Sequence, residues 1–270
     1  MVENNENNNE IVNDLNITVS VKNKEWKPKT ELGRLVASGK IKTIDDVLSL
    51  GKHILEPEIV DYLVPNLKVE LLYIGQSKGK FGGGKRRAFR QTQKKTEEGN
   101  KPHFATMAVV GNGDGIIGLG YGKAKETVPA REKAIRNAKL NIISIKRGCG
   151  SWVCGCAEPH SIPFKVRGKS GSVEIVLMPA PKGTGLKVEK ECQKVLSLAG
   201  IKDVWSKSFG QTRTKFNLLK ACFNALRNLN NYRVNPEHIN ALGITSGSIT
   251  KQSSELEGSE KLEDSEKSKT

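Results

Sequence analysis

The sequence is short of the features that define several large classes of protein. Aromatic residues make up 5% of its 270 residues, and its 5 cysteines are an odd number. No stretch approaches the ~18–20 consecutive apolar residues that a membrane-spanning helix needs. The N-terminus is rich in Asn and Glu and lacks the basic and apolar segments of a secretory signal. We therefore expect neither a membrane protein nor a disulfide-stabilised secreted domain, but a protein of a reducing, cytoplasmic compartment.

Positive charge is what the sequence has in excess. Lys and Arg total 44 against 29 acids, which gives a net charge of +15. Residues 1–16 carry −4 and residues 251–270 carry −2, so residues 17–250 carry +21. We expect both ends to be disordered tails, because their composition cannot form a core. A body this basic indicates a polyanionic partner.

The densest positive charge lies in residues 75–102, the basic loop. This segment has a net charge of +7 in 28 residues, six glycines and no apolar periodicity. It cannot bury enough apolar surface to fold alone, so we expect it to become ordered on RNA rather than remain a solvated loop. The predicted RNA-binding residues are its cations and two lysines elsewhere: Lys78, Lys80, Lys85, Arg86, Arg87, Arg90, Lys94, Lys95, Lys101, Lys123 and Lys182.

The segments on either side of the basic loop predict an α+β domain. Strand patterns over residues 67–74, 104–110 and 116–121 indicate a three-stranded antiparallel sheet, and a helical pattern begins at Thr127. A leader over residues 26–66 precedes the sheet, with a short helix that Thr43 caps. Gly118, Gly120 and Gly122 alternate along the third strand and share one face, which permits close approach of a helix or of an RNA backbone.

The second half of the chain predicts another α+β domain, with its helices on one face of the sheet. The element order is ββαβα, and the boundary between the halves falls near residues 145–160. The Lys182-Gly183-Thr184-Gly185 segment follows a strand and precedes a helix. It is interpreted either as a phosphate site at a helix N-terminus or as an ordinary connecting loop.

Cys149, Cys154, Cys156 and His160 form the one metal-like pattern in the sequence. Four candidate ligands of the two types that Zn²⁺ prefers, Cys and His, lie within twelve residues, although the spacing is not a standard one. The alternatives are a structural zinc site and a set of reduced, partly buried thiols. Cys192 and Cys222 lie on apolar helix faces and are interpreted as core residues.

Catalytic patterns are weak. The glycines at 113, 115 and 118 match a dinucleotide fingerprint only in spacing, because a strand follows them instead of a helix. None of the four histidines stands in a recognisable pattern with a nucleophile or a carboxylate. We therefore expect no enzymatic activity and no required cofactor.

Four blocks resemble the small-subunit ribosomal protein family numbered five in the universal nomenclature, in its archaeal form. They are WKPKTELGRLVASGKI, VVGNGDGIIGLGYGKAKE, KRGCGSWVCGCAEPHSIPF and GKSGSVEIVLMPAPKGTGL, and the resemblance runs from about residue 26 to residue 230. It implies an N-terminal domain similar to a double-stranded-RNA-binding domain and a C-terminal α+β domain. The expected division is a disordered acidic and Asn-rich tail (1–25), an ordered N-terminal extension (26–66), the double-stranded-RNA-binding-like domain with the basic loop (67–145), the C-terminal ribosomal domain (146–242) and a disordered tail (243–270).

The resemblance also implies a function. The family is made of structural constituents of the small ribosomal subunit in the cytoplasm, which bind small-subunit rRNA and support translational accuracy near the mRNA entrance and the decoding region. Its expected neighbours are ribosomal proteins four and eight, with a functional link to protein twelve and with mRNA close by. Two alternatives from other classes remain at this point: a metal-dependent RNA-processing enzyme and a free-standing double-stranded-RNA binder.

Overall fold

The computed structural model describes residues 26–76 and 86–247, and it combines helices with antiparallel sheets. The predicted α+β class is confirmed. Residues 1–25 and 248–270, which make up nearly all of the two predicted tails, lie outside the described residues, as do Lys78, Lys80 and Lys85 of the basic loop. Within the described part of the chain, no helix is both long enough and apolar enough to cross a bilayer.

The N-terminal extension consists of three short helices: α1 (Glu31–Ala37), α2 (Ile44–Ser49) and α3 (Glu58–Leu63). The Oγ1 of Thr43 accepts a hydrogen bond from the Asp46 N–H at 3.3 Å, which confirms the predicted cap of α2. Val36, Val47 and Ile59 are fully buried where the three helices meet. Their apolar side chains therefore hold the extension together and against the sheet that follows.

The first sheet has five strands, two more than the sequence predicts. They are β1 (Lys68–Leu72), β2 (Arg90–Thr96), β3 (Gly99–Gly111), β4 (Ile116–Ala124) and β5 (Ile142–Ser144). All pairings are antiparallel, in the order β1-β3-β4-β5, while β2 pairs with the first half of β3. Strands β1 and β2 thus lie end to end along one edge of β3.

The prediction of a continuous loop over residues 75–102 is wrong for residues 90–102. Strand β2 and the start of β3 form a two-stranded ribbon there, which closes at a turn between Thr96 and Gly99. The ribbon carries no apolar alternation because the side chains of residues 90–95 are exposed on both of its faces. Its pairing is an extension of the backbone ladder that β3 already makes inside the sheet.

Helix α4 (Thr127–Leu140) covers one face of the first sheet, at the three alternating glycines. A Cβ at Gly118, Gly120 or Gly122 would overlap backbone atoms of this helix at Ala130, Ala134 or Ala138. The space left by the missing side chains is therefore filled by a helix. Of the two interpretations of this strand, close helix packing is the correct one.

The second half of the chain is built on a four-stranded sheet. Its elements are β6 (Lys146–Arg147), β7 (Val166–Ser170), β8 (Val173–Pro179), β9 (Leu186–Lys187), α5 (Lys190–Leu198), β10 (Val204–Phe209), α6 (Lys215–Asn228), a 3₁₀ turn (Leu229–Asn231), α7 (Pro236–Leu242) and β11 (Thr245–Ser246). The strand order is β7-β8-β10-β9, with only β9 and β10 parallel, and β6 pairs with β11. Helix α6 packs against β7 and β8, and Gly168 lets it approach closely.

One apolar core crosses the two halves. The face of the first sheet that points away from α4 contributes Leu72, Val109 and Leu119 to the same cluster as Leu196 of α5 and Leu219 of α6. The turn between β3 and β4 also donates to the end of α5, from the Gly113 N–H to the Leu198 carbonyl at 2.9 Å. The second half thus covers the side of the first sheet that α4 leaves open.

Candidate nucleic-acid interface and metal centre

A cationic cleft lies where the ribbon meets the rest of the molecule. The cleft is a cavity of about 350 Å³. Its cationic lining consists of Arg90 of the ribbon, Arg86 just before it, and Arg213 and Lys215 at the start of α6. Among the described residues, no acid lines this cavity. Its size is at the lower end of ligand-binding pockets, and its lining charge is suited to phosphate.

Strand register places several of the predicted cations on one face. Arg90 is the register partner of Ala105, which in turn is the partner of Lys123 on β4. Lys94 lies four residues along β2 from Arg90, and therefore projects to the same side, opposite Lys101. The structure thus places Arg90, Lys94 and Lys101 of the basic loop on the same face as Lys123 of β4.

The Lys94–Lys101 pair has a physical consequence. Two like charges directly opposite each other in an antiparallel pair are destabilising. Lys101 also pairs with the exposed Glu98 at 2.5 Å, an ion pair of low energetic value at the surface. A polyanion bound along this face would remove the repulsion.

The remaining predicted RNA-binding residues are placed differently. Arg87 is exposed, and its carbonyl accepts a hydrogen bond from the Gly75 N–H at 2.8 Å, which ties together the two ends of the undescribed segment 77–85. Lys95 projects to the opposite face of the ribbon from Lys94. Lys182 is not part of the cleft, and its ammonium pairs with Glu158 at 2.7 Å.

The helix-terminus interpretation of the Lys182 loop is wrong. Strand β9 intervenes between the loop and α5, which begins only at Lys190. The first N–H groups of that helix are already occupied, because the Glu189 carboxylate accepts from the backbone of Glu191 and Cys192. The terminus therefore offers no open anion site.

Arg213 and Lys215 are cleft residues that the sequence analysis missed. They lie more than 120 positions from Arg90, and nothing in the local sequence connects them to the ribbon. One signal was present: cations at the start of a helix are unfavourable beside the positive end of its dipole. Lys215 is partly compensated by Glu189 at 2.8 Å.

The structure brings the four predicted metal ligands together. One ligand atom from each of Cys149, Cys154, Cys156 and His160 lies within 4.8 Å of all the others. The Cys154 and Cys156 sulfurs are 3.3 Å apart, and the Cys154 sulfur is 3.8 Å from His160 Nε2. Ligands that surround a tetrahedral zinc at about 2.0–2.3 Å have separations of this size.

Hydrogen bonds and burial act differently on the thiols. Backbone N–H groups of Lys182 and Cys156 donate to the Cys154 sulfur and lower its pKa to about 6. Burial, together with the neighbouring thiols, raises the pKa of Cys149 to about 11. The N–H donors favour the thiolate form, which is the form that binds metal.

A carboxylate orients the histidine. Asp203 Oδ2 lies 2.9 Å from His160 Nδ1, and both side chains are buried. With the proton on Nδ1, the Nε2 lone pair is directed at the cysteines, as in the carboxylate–histidine arrangement around protein-bound zinc. Four protein ligands with no open position are typical of structural zinc sites rather than catalytic ones. Cys192 and Cys222 are fully buried core residues, as predicted.

Comparisons with known proteins agree with this architecture. The family model for the N-terminal domain of ribosomal protein S5 matches residues 85–146, and that for its C-terminal domain matches residues 168–238. A small ribosomal subunit protein uS5 from Nanoarchaeum equitans is 54% identical over 225 residues, which cover 83% of this chain and 96% of the relative.

Two further relatives have the same name. The protein from Pyrobaculum islandicum is 50% identical over 77% of this chain and 96% of its own length. The protein from Thermoplasma acidophilum is 47% identical over 83% of this chain and 95% of its own length. With identities of about half over nearly the full length of these relatives, the chain belongs to the ribosomal protein S5 family.

Proposed function

We propose that the chain is a structural constituent of the small ribosomal subunit in the cytoplasm, and that it binds small-subunit rRNA. Family membership supports the assembly, and the cationic cleft supports the rRNA contact. The family is one of structural ribosomal proteins, so the chain is not an enzyme. Its function is to bind and order RNA in the particle.

The observation that carries the RNA contact is the convergence of Arg86, Arg90, Arg213 and Lys215 on one cavity. Guanidinium groups bind phosphate through paired hydrogen bonds, and such contacts position a protein on RNA with little sequence readout. Lys94, Lys101 and Lys123 continue this surface along the ribbon. Lys78, Lys80 and Lys85 extend the same proposal into the undescribed segment.

The finer architecture is part of the proposal. The antiparallel sheet of residues 67–145, covered on one face by α4, supports a double-stranded-RNA-binding-like domain. Residues 146–242 form the C-terminal ribosomal domain. Residues 26–66 are the ordered extension and residues 1–25 are a tail. The second tail, predicted as 243–270, begins only after β11, because Thr245 and Ser246 pair with β6.

The neighbourhood in the particle is proposed on the resemblance. The proposed neighbours are ribosomal proteins four and eight, near the mRNA entrance and the decoding region, where the chain would support translational accuracy together with protein twelve. Trp205 and Phe209 are 42% and 53% exposed on the outer face of the second sheet. Exposed aromatic residues of this kind are enriched in protein interfaces, which supports a protein neighbour on that face.

We assign a structural zinc ion to Cys149, Cys154, Cys156 and His160 as part of the same proposal. The support is the mutual distance of the four ligand atoms and the orienting contact from Asp203. No activity is assigned to the ion, because the four protein ligands fill a tetrahedral shell.

The cleft is tested by the salt dependence of binding between the full chain and small-subunit rRNA. Each phosphate contact releases counterions, so Arg213→Ala and Arg90→Ala should each weaken binding and reduce the slope of log affinity against log salt by about one unit. Arg136→Ala is the matched control, because it removes an exposed arginine from α4 on the other face of the first sheet.

The control variant should bind with the wild-type slope or close to it. If wild-type binding does not change with salt, the phosphate-contact proposal as a whole is incorrect. If the Arg213 and Arg136 variants lose the same amount of affinity, rRNA is bound elsewhere and the cleft is not its site.

A further inference from the structure

Residues 180–185, called here the 180s loop, make three backbone hydrogen bonds to the four-ligand cluster and its immediate neighbours. We propose that zinc in this cluster orders the 180s loop, with Asp203 as the residue that couples the two. The inference rests on the proposed zinc site and goes beyond it, because it assigns the metal a task in a segment that supplies no ligand.

Besides the ion pair between the Lys182 ammonium and Glu158, three contacts are made by backbone N–H groups of the loop. The N–H of Ala180 donates to Ser161 Oγ at 3.3 Å, next to His160 in the chain. The N–H of Lys182 donates to the sulfur of Cys154. The N–H of Gly185 donates to Asp203 Oδ1 at 2.8 Å. The loop is therefore hydrogen bonded to a ligand, to the neighbour of a ligand and to the partner of a ligand.

Asp203 connects the metal site to the loop through its two carboxylate oxygens. Oδ2 faces His160 Nδ1, while Oδ1 accepts from Gly185. The backbone on either side is fixed as well, since the N–H groups of Lys202 and Asp203 both donate to the His160 carbonyl. A histidine held by the metal thus fixes the carboxylate, and the carboxylate fixes the end of the loop.

Backbone hydrogen bonds hold the two ends of the ligand segment, at Cys149 and Ser161, but the turn between them has little apolar support. Trp152 and Val153 are 103% and 82% exposed, so apolar burial does not hold the turn between Cys149 and Cys154. Ala157 has a φ of +51°, a conformation unfavourable for a residue with a side chain. Four bonds to one ion would supply the order that burial does not, as in small zinc-dependent motifs.

The experiment uses the full chain, purified with a thiol reductant, and measures bound zinc and the hydrogen exchange of the Lys182 and Gly185 amides. We expect one zinc per chain, and exchange at both amides at least tenfold faster after removal of the metal by a chelator. Added zinc should restore slow exchange. Cobalt in place of zinc should give the absorption bands of tetrahedral thiolate coordination.

Three variants separate the steps. Cys154→Ser should lose the metal and expose both amides, whereas Cys222→Ala, which removes a thiol outside the cluster, should change neither. Asp203→Asn should weaken zinc affinity by on the order of 10–100-fold, as loss of an orienting partner does. It should also speed exchange at Gly185 more than at Lys182, even with zinc saturating.

The outcomes distinguish two failures. A chain that holds no zinc or cobalt overturns both the site and its effect on the loop. A chain that holds one zinc but shows the same exchange with and without it overturns the coupling alone. An Asp203→Asn variant with unchanged zinc affinity would show that Asp203 does not couple the metal site to the loop.

Discussion

Glu56 illustrates how a single carboxylate organises the start of the N-terminal extension. Its oxygens accept hydrogen bonds from the indole of Trp26 at 2.9 Å and from the backbone N–H groups of Lys29 and Thr30 at 2.9 and 2.6 Å. Burial acts to raise the pKa of Glu56, but these hydrogen bonds outweigh it and lower the pKa below its ordinary value. The charged form of Glu56 therefore stabilises the start of the extension.

The pH dependence follows from this direction. Because the folded-state pKa is lower than the unfolded one, the stabilisation is complete above the ordinary glutamate pKa of about 4.3 and is lost as pH falls through the folded value. We expect the indole N–H resonance of Trp26 to shift toward its unfolded position only in that acidic range. Glu56→Gln should abolish this step and cost about 1–3 kcal/mol at neutral pH.

Glu58→Gln, an exposed change on α3, is the control and should leave the acidic step intact. Movement of the Trp26 resonance already near pH 6 in the wild type would contradict the assignment to Glu56.

The proposed metal ligands show the limit of sequence reasoning at the residue scale. Cys149, Cys154, Cys156 and His160 could be proposed because they lie within twelve residues of one another. Asp203 could not, because it lies 43 positions beyond His160 and reaches it only through the folding of β10. Local spacing therefore predicts the candidate ligands, and only the fold shows which carboxylate contacts His160.

Among the elements, the pairing of α4 with β4 depends most on the absence of side chains. Gly120→Ala would place a methyl group against the backbone of Ala134 and Ala138. Overpacking of this kind costs about 1–3 kcal/mol or more. We expect a corresponding loss in the free energy of unfolding, measured by urea denaturation of the full chain.

Lys133→Ala is the control, because it changes an exposed side chain of the same helix without adding atoms at its contact with β4. It should change the unfolding free energy by no more than about 0.5 kcal/mol. Equal destabilisation by the two variants would mean that the close helix approach is not what the glycine provides.

The ribbon and the alternating glycines show why some elements are predictable and others are not. The alternating glycines at 118, 120 and 122 indicate in the sequence itself that another element packs closely on this strand. Thr43 likewise indicates where a helix begins. The ribbon of residues 90–102 shows no such sequence pattern, because both of its faces are exposed and its pairing follows from the register of β3. The charge density of this segment predicts a polyanionic partner but gives no information on its conformation.

For the whole molecule, the decisive feature is the core that the two halves share. Leu119 is 5% exposed and belongs to the same cluster as Leu196 and Leu219 of the second half. We expect variants that retain only Trp26 or only Trp205 to report the same midpoint in urea, since each half lacks its cover without the other. Leu119→Ala should lower both urea midpoints together, because it should reduce the free energy of unfolding by about 2–5 kcal/mol.

Leu55→Ala is the control, since Leu55 is 66% exposed and lies outside this core. Two separate transitions in the wild type, one for each tryptophan, would show that the halves unfold independently.

The hydrogen bond between the Gly75 N–H and the Arg87 carbonyl joins two points that are twelve positions apart in the chain. The chain leaves the sheet and rejoins it at the same place, so the contacts of Gly75 with Arg86 and Arg87 close the segment between them. The entropy of closing such a segment grows only with the logarithm of its length, by about 0.6 kcal/mol for each doubling. Insertions and deletions there are consequently tolerated by the sheet, and the reach of this part of the molecule can change during evolution while the scaffold stays the same.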